Sequence, residues 1–462
     1  MAKIHLHRFR TFFIGLLIIG FWVSCDNNRT QNTKETNTYE KKIQDIKAEI
    51  SADTLEANIR ELTSFYTRHT ASDTASDTTG IGAARRWVYG QFKDYQQRSN
   101  GRLHVQYSSF TADDQPKLEA ETEIVNILAY LPGTQLESKD RMYLVTAHYD
   151  SRASDLMDAR SQAPGASDNA SGTAAVLELA RVMSNYEFDA TIVFLALAGK
   201  EQGQLGAKYI AEQASSQNRH IAGILNNDII GNHRGIKKPD TVRVFAPGIS
   251  SDGKLTQYQQ TLLHTGGEND TPSRQLGRFM YHISEKYFND VSVDLIYRKD
   301  RYWHKGDHLA FLEYDYPSVR ISQLTEKHRR HDQDVRTEDG KQYGDLPKFI
   351  NFDYTANVTR LNAITLATLA DAPAPPTRVK IVIDKSFTDT RLKWKSNKEP
   401  DFKGYNIVWR RPSQPHWQHS KFVGDTLEYR LKDVPRDNFI FGVRSVDNFG
   451  HESPAVFPTP AL

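Results

Sequence analysis

Five side chains that could share metal ions, His148, Asp168, Glu201, Asp228 and His331, follow one another along the 462-residue chain. His148 closes the apolar run Tyr143-Leu-Val-Thr-Ala-His148, the end at which an α/β sheet presents its ligand-binding residues. Asp168 lies in Gly165-Ala-Ser-Asp-Asn-Ala-Ser-Gly172, a loop of small residues that opens a helix and lets the backbone approach an ion. Glu201 follows the run Thr191 to Leu197, inside Gly199-Lys-Glu-Gln-Gly203, and Asp228 follows Ile224-Leu-Asn-Asn227. His331 comes late, in His328-Arg-Arg-His-Asp-Gln-Asp334. Two imidazoles and three carboxylates form a set that zinc accepts, and one carboxylate can bridge a cocatalytic pair. Taken singly, a histidine at a strand end is more often a structural hydrogen-bonding residue, and an aspartate before a helix is usually an N-cap. Their joint occurrence is what points to a metal.

Four strings, His148-Tyr-Asp150-Ser, Gly165-Ala-Ser-Asp168-Asn-Ala-Ser-Gly172, Glu201-Gln-Gly-Gln-Leu-Gly206 and Asn227-Asp228-Ile-Ile-Gly231, resemble successive blocks of the M28 family of di-zinc aminopeptidases. The resemblance covers roughly residues 43–370. It implies a three-layer α/β/α phosphohydrolase-like fold in which Asp168 bridges two zinc ions. His148 and Asp228 would complete one site, Glu201 and His331 the other, with a single ion as the alternative. Asp150 would orient His148 from behind. Asp307-His308 resembles a further block with a supporting role. The last ligand stays open: the family places a histidine four residues before an aspartate, whereas Arg330 stands there relative to Asp334. His331 is preferred because zinc favours imidazole, with His328 and Asp332 as alternatives.

The third block departs from the family. Two adjacent glutamates are its pattern, the first a general base and the second a ligand; here the pair is Lys200-Glu201. General-base catalysis contributes about 10²–10⁴-fold, so a lysine at the catalytic position should nearly silence peptide hydrolysis. It also opposes a dication electrostatically. Two routes around this are an ammonium turned outward to a surface carboxylate and a zinc-bound water already acidic enough for slow turnover. Two readings follow: an exopeptidase that removes N-terminal residues, or a pseudopeptidase whose cleft binds peptides or a partner. A glutaminyl-cyclase-like transferase, which the same fold and one zinc would suit, gains nothing from Lys200.

These residues need a sheet to position them. Thr122 to Leu131, Met142 to His148 and Thr191 to Leu197 read as strands, the first ended by Pro132-Gly133. Gly172 to Met183 reads as a helix between the last two, and Ser51 to Tyr66 and Ala83 to Tyr95 as helices before them. Strand, helix, strand with continuous apolar strands argues a parallel or mixed sheet covered by helices. After Ala372-Pro-Ala-Pro-Pro376, read as a stiff linker, short alternating runs begin: Val379 to Ile383, Thr390 to Trp394, Gly404 to Trp409, Thr426 to Leu431 and Asn438 to Val446. They make a small β-sandwich over 372–462 that resembles a fibronectin type III module.

The chain's ends and charge bound its surroundings. Residues 1–25 combine basic positions, a short apolar run from Thr11 to Val23 and Ser24-Cys25, which resembles a bacterial lipoprotein signal. That run is shorter than the ~20 residues that span a bilayer. Cys25 would then carry the lipid, and the protein would be exported and membrane-anchored, in the periplasm, outer membrane or cell surface. Residues 26–42 read as a flexible tether and 43–371 as the peptidase domain. A net charge of +2, from 59 basic and 57 acidic residues, offers no field that would recruit nucleic acid. Peptides are the expected substrates.

Overall fold

The computed structural model describes residues 38–113, 115–232, 240–249 and 255–461. The proposed leader with Cys25, and the tether as far as residue 37, lie outside the described residues. The tether boundary needs correction: residues 38–49 form helix α1, where Tyr39 and Ile43 are buried. Lys42, expected in the tether, pairs with Asp371 at 2.7 Å.

Helices α2 (Ala52–Ser64) and α3 (Gly80–Arg98) precede strands β1 (His104–Ala112), β2 (Thr122–Leu131) and β3 (Arg141–His148). Then come α4 (Ser171–Met183), β4 (Thr191–Leu197), α5 (Leu205–Ser216), β5 (His220–Asn227), β6 (Thr241–Phe245), α6 (Gln257–His264) and α7 (Pro272–Tyr287). β7 (Ser292–Ile296), α8 (His308–Leu312), β8 (Ser318–Gln323), the hairpin β9 (Arg336–Glu338) and β10 (Lys341–Tyr343), and α9 (Phe352–Asp371) complete the larger unit. Ser51 caps α2 by accepting from the Thr54 amide at 3.2 Å, so local chemistry starts that helix where its sequence suggests.

The main sheet runs β1-β2-β4-β3-β5-β8-β6-β7. Its centre is parallel: β3 pairs with β4 on one side and β5 on the other, and β8 joins β5 in the same sense. Alternation along the central strands explains the layers. Tyr143, Val145, Ile192, Phe194 and Ala196 enter a core with α2, α3, α4, α7 and α9, while Leu144, Val193, Leu195 and Leu197 pack with α5 and α8 on the other face. Because side chains alternate with a period of two, apolar residues throughout a strand bury both faces. The result is the expected α/β/α sandwich.

Residues 377–461 form two further sheets. One has order β15-β12-β11-β17, from β11 (Thr377–Val382), β12 (Thr390–Lys395), β15 (Glu428–Leu431) and β17 (Thr459–Ala461). The other is β14-β13-β16, from β13 (Phe402–Arg410), β14 (His419–Gly424) and β16 (Ile440–Asp447). Val379, Leu392 and Trp394 from the first meet Tyr405, Ile407, Phe441 and Val443 from the second in one core. β14 and β17 were not legible as strands; His419 to Phe422 are all exposed, so the burial alternation that marks a strand is missing.

The connection is held in place and does not act as a free spacer. Arg141 donates to the Ala372 carbonyl at 2.6 Å, and Glu399 accepts from the Ala374 amide at 2.6 Å. Further along the interface, Asp270 bridges two buried arginines, Arg278 at 3.0 Å and Arg410 of β13 at 2.6 Å. Arg278 also donates to the Pro415 carbonyl at 2.6 Å. Removing the one carboxylate would leave two buried guanidiniums facing each other. Asp270→Asn should therefore lower unfolding stability by about 3–5 kcal/mol, read from urea denaturation followed by tryptophan fluorescence. A change below about 1 kcal/mol would mean that the interface does not depend on this triad.

Candidate metal centre

Three adjacent parallel strands end side by side, which is why residues far apart in sequence meet. His148 is the last residue of β3, Asp228 follows β5 directly, and Glu201 stands four residues after β4. Asp168 reaches the same place from the turn Ala166–Ala170 before α4. That turn is tightly made. Gly165 adopts φ 53, and a Cβ on Gly172 would lie 2.5 Å from the Asn227 carbonyl oxygen, so α4 can start this close to β5 only with glycine there. Asp345 accepts from the amides of Ser167 and Asp168 at 2.6 and 2.7 Å, which fixes the Asp168 backbone.

His148 Nε2 lies 3.2 Å from Asp168 Oδ1 and 4.0 Å from Asp228 Oδ1. All three residues are buried, and their ligand atoms lie within 4.8 Å of one another. Ligand atoms about 2 Å from a tetrahedral zinc stand roughly 3.3 Å apart, close to the first of these separations. Neither His148 Nε2 nor Asp168 Oδ1 has a hydrogen-bond partner, although both are buried. Buried polar atoms without partners are costly, and a shared cation would satisfy these two. The donor set therefore fits zinc. The other side of the imidazole is anchored: Nδ1 lies 3.1 Å from the main-chain carbonyl of Asp150 and 3.4 Å from its carboxylate. Asp150 Oδ2 in turn accepts from the Glu201 amide at 3.1 Å, so it ties the two ligand loops together as well as orienting His148.

A second group consists of Asp168, Glu201 and Asp332. His331, the preferred last ligand, does not join it, and His328 is exposed. Asp332 has φ 57, and this left-handed turn brings the neighbouring position to the site. His331 instead lines a pocket with Ser167, Gln323 and Asp345, its Nδ1 4.0 Å from Glu326. The sequence spacing could not distinguish the two, because successive residues diverge only once the turn is known.

Lys200 points inward. Its side chain is 10% exposed, with Nζ 2.8 Å from Glu201 Oε1 and 3.7 Å from Asp168 Oδ1, so the outward route is excluded. Burial alone would push its ammonium down, but Asp168, Glu201, Asp228 and Asp332 outweigh that and hold it well above the ordinary lysine value. Arg152 adds a second cation, 3.1 Å from Asp332 and 3.7 Å from Glu201. Burial pushes the Glu201 carboxyl up to about 7, with Lys200 opposing and Asp332 and Asp168 reinforcing. The second group thus has two fixed cations, Lys200 and Arg152, among its carboxylates.

Supporting residues that the sequence reading missed carry much of the construction. Arg68, fully buried, donates to the carbonyls of Leu62, Pro164 and Gly165 and to that of Tyr149 at 2.6 Å, clasping the loop before Asp168. Arg320 on β8 places Nη2 3.0 Å from Asp228 and Nη1 2.7 Å from Asp300. Neither stands in a recognisable motif; only the register of β8 beside β5 reveals Arg320. Asp307, expected as support, is buried without a hydrogen-bond partner, and burial raises it to about 7. His308 Nε2 meets the Lys299 carbonyl at 2.9 Å.

Comparison with known proteins points to one family. Residues 126–343 match the model of Peptidase family M28. A probable zinc metalloprotease of Pyrenophora teres f. teres is 40% identical over 419 residues, covering 89% of this chain and 86% of the relative. One from Leptosphaeria maculans is 41% identical over 424 residues, covering 91% and 97%. Among solved structures, the LapA aminopeptidase of Legionella pneumophila aligns with TM-score 0.51 and 18% identity over 72% of this chain and 75% of that one, which is a likeness of fold.

Zinc should raise the melting temperature of the wild-type protein, by the equivalent of about 2.7 kcal/mol at a hundredfold excess over Kd. His148→Ala should lose this response and its zinc content, while Glu201→Gln should keep both. Metal analysis after gel filtration checks the contents; equal loss in the two variants would show that the groups do not differ.

Proposed function

The chain belongs to peptidase family M28, and on that premise we propose that it is an exported zinc-dependent exopeptidase, of the aminopeptidase kind, that works with one zinc ion. The observation that carries the reading is the buried convergence of His148, Asp168 and Asp228, with His148 Nε2 and Asp168 Oδ1 left without a hydrogen bond. Zinc bound there supplies a Lewis acid for a peptide carbonyl and lowers the pKa of water. Asp150 holds the His148 ring, and Asp345 holds the Asp168 backbone, so the ligands are positioned before the metal arrives. Lys200 places a fixed positive charge among Asp168, Glu201 and Asp332, where the family's second ion would sit. It offsets part of the negative charge of those carboxylates and, together with Arg152, weakens their attraction for another dication.

A charged ammonium has no lone pair and cannot take a proton from water. Glu201 accepts from Lys200 and Asp332 is paired with Arg152, so neither carboxylate is left free as a replacement base. The hydrolytic step should accordingly be slow. The inward Lys200 also favours a second reading, in which the cleft binds peptides or a partner without cleaving them. Outside the site, we propose that residues 372–462 are a fibronectin type III-like module clamped to the peptidase domain, and that residues 1–25 export the chain and leave a lipid anchor on Cys25.

Aminoacyl chromogenic substrates, offered with and without zinc, test the assignment. The native protein should show slow turnover that depends on zinc. Lys200→Glu should raise the rate by about 10²–10⁴-fold and the zinc content from one ion to two. Turnover confined to Lys200→Glu would decide for the binding reading, and zinc-independent turnover in the native protein would sink both.

A further inference from the structure

Beside the metal centre lies a cavity of about 400 Å³ that neither the zinc ligands nor Lys200 uses. It is bounded by β6, β7 and the loop of residues 297–307. Arg243, Arg298 and Arg301 line it with Tyr302, His304 and Glu326, so three guanidiniums face one carboxylate. Glu326 is already shared: Arg243 reaches it at 2.6 Å, and Arg301 is in direct contact with it. Arg298 has no carboxylate partner among the described residues. Its guanidinium lies 3.6 Å from the centroid of the Tyr302 ring, which leaves its donor edge free while the ring supports its face.

The cavity adjoins the catalytic cluster. Gly306 closes the loop against Asp228, where a Cβ would come 3.2 Å from Oδ2. Glu326 stands 4.0 Å from His331, next to Asp332. The field of Asp228 and Asp168 reaches Arg301, and that of Asp332 and Lys200 reaches His304. At the mouth, Tyr302 is 74% exposed and Trp303 entirely so, with Trp303 held at φ 61. Large aromatic side chains presented to solvent on a strained turn beside a cavity offer apolar contact to a ligand backbone.

We propose that this cavity is a carboxylate subsite that selects substrate peptides carrying an acidic group near the bond presented to His148, Asp168 and Asp228. The group is an Asp or Glu side chain or a free C-terminal carboxylate, and a guanidinium fork recognises either in the same way. The proposal rests on the peptidase reading for what enters the cleft, but the selectivity itself is a property of the cavity.

Equilibrium binding separates the two. Isothermal titration calorimetry on the zinc-loaded full chain would compare Ala-Glu-Ala amide, Ala-Gln-Ala amide and Ala-Gln-Ala with a free C-terminus. One or both carboxylate-bearing probes should bind about tenfold more tightly than the neutral one, since hydrogen bonds to charged groups are the stronger kind. Which probe gains identifies the source of the carboxylate. Arg298→Gln, an exposed position whose change should leave the circular dichroism spectrum intact, should remove most of that preference, and 0.5 M salt should weaken it. Equal binding of all three probes, no binding of any, or a preference that survives Arg298→Gln would overturn the subsite. Hydrolysis of an aminoacyl substrate, followed on the same preparation, reports on the peptidase reading independently. Turnover without charge preference removes only the subsite, and charge preference without turnover removes only the peptidase.

Discussion

Buried negative charge is the constraint around which this protein is organised. Asp150, Asp168, Asp228, Asp307 and Asp345 are all buried within one region at the ends of β3, β4 and β5. Carboxylates cannot leave water without compensation, and the chain supplies it in three forms. Backbone amides satisfy one oxygen each of Asp345 and Asp150. Fixed cations, Lys200, Arg152 and Arg320, face Glu201, Asp332 and Asp228. His148 Nε2 and Asp168 Oδ1, 3.2 Å apart, are left without a hydrogen bond, and they mark the place for an exchangeable cation.

That division turns on the residue at position 200. A glutamate at position 200 would bring another negative charge and a proton acceptor; the lysine brings the reverse, and Glu201 and Asp168 respond by holding it charged. On the proposed reading, the lysine changes the number of cations that the protein would borrow from solution as well as removing a base. Arg152 consolidates it by pairing with Asp332, so the second carboxylate group is internally balanced.

The smaller β unit fits the same physical picture. Its contact with the larger one contains the buried Asp270, Arg278 and Arg410 triad and the Arg141 and Glu399 pair at 3.6 Å. Such groups specify one arrangement of two surfaces because any displacement leaves a charge unpaired. Tyr39 of α1 lies against His451 with its ring tilted by 58° and ring centroids 3.7 Å apart, so the chain's first described helix also seals this junction. The Pro-rich segment at 372–376 reads as a spacer only when its neighbours are unseen.

Local pattern determined much from the sequence alone: the central strands with their apolar continuity, the Ser51-capped helix, the small-residue loop around Asp168 and the strand-end positions of His148 and Asp228. These depend on residues close together in the chain. α9 escaped notice because it is buried nearly all round, and a helix without a polar face lacks the amphipathic contrast that marks one. Tertiary structure decided what depends on distant residues meeting: Asp332 in place of His331 beside Glu201, the inward course of Lys200, Arg320 against Asp228, Asp345 beneath Asp168 and the arginine cavity. Strand register and loop handedness set those contacts, and neither is encoded in the spacing of the residues that they bring together.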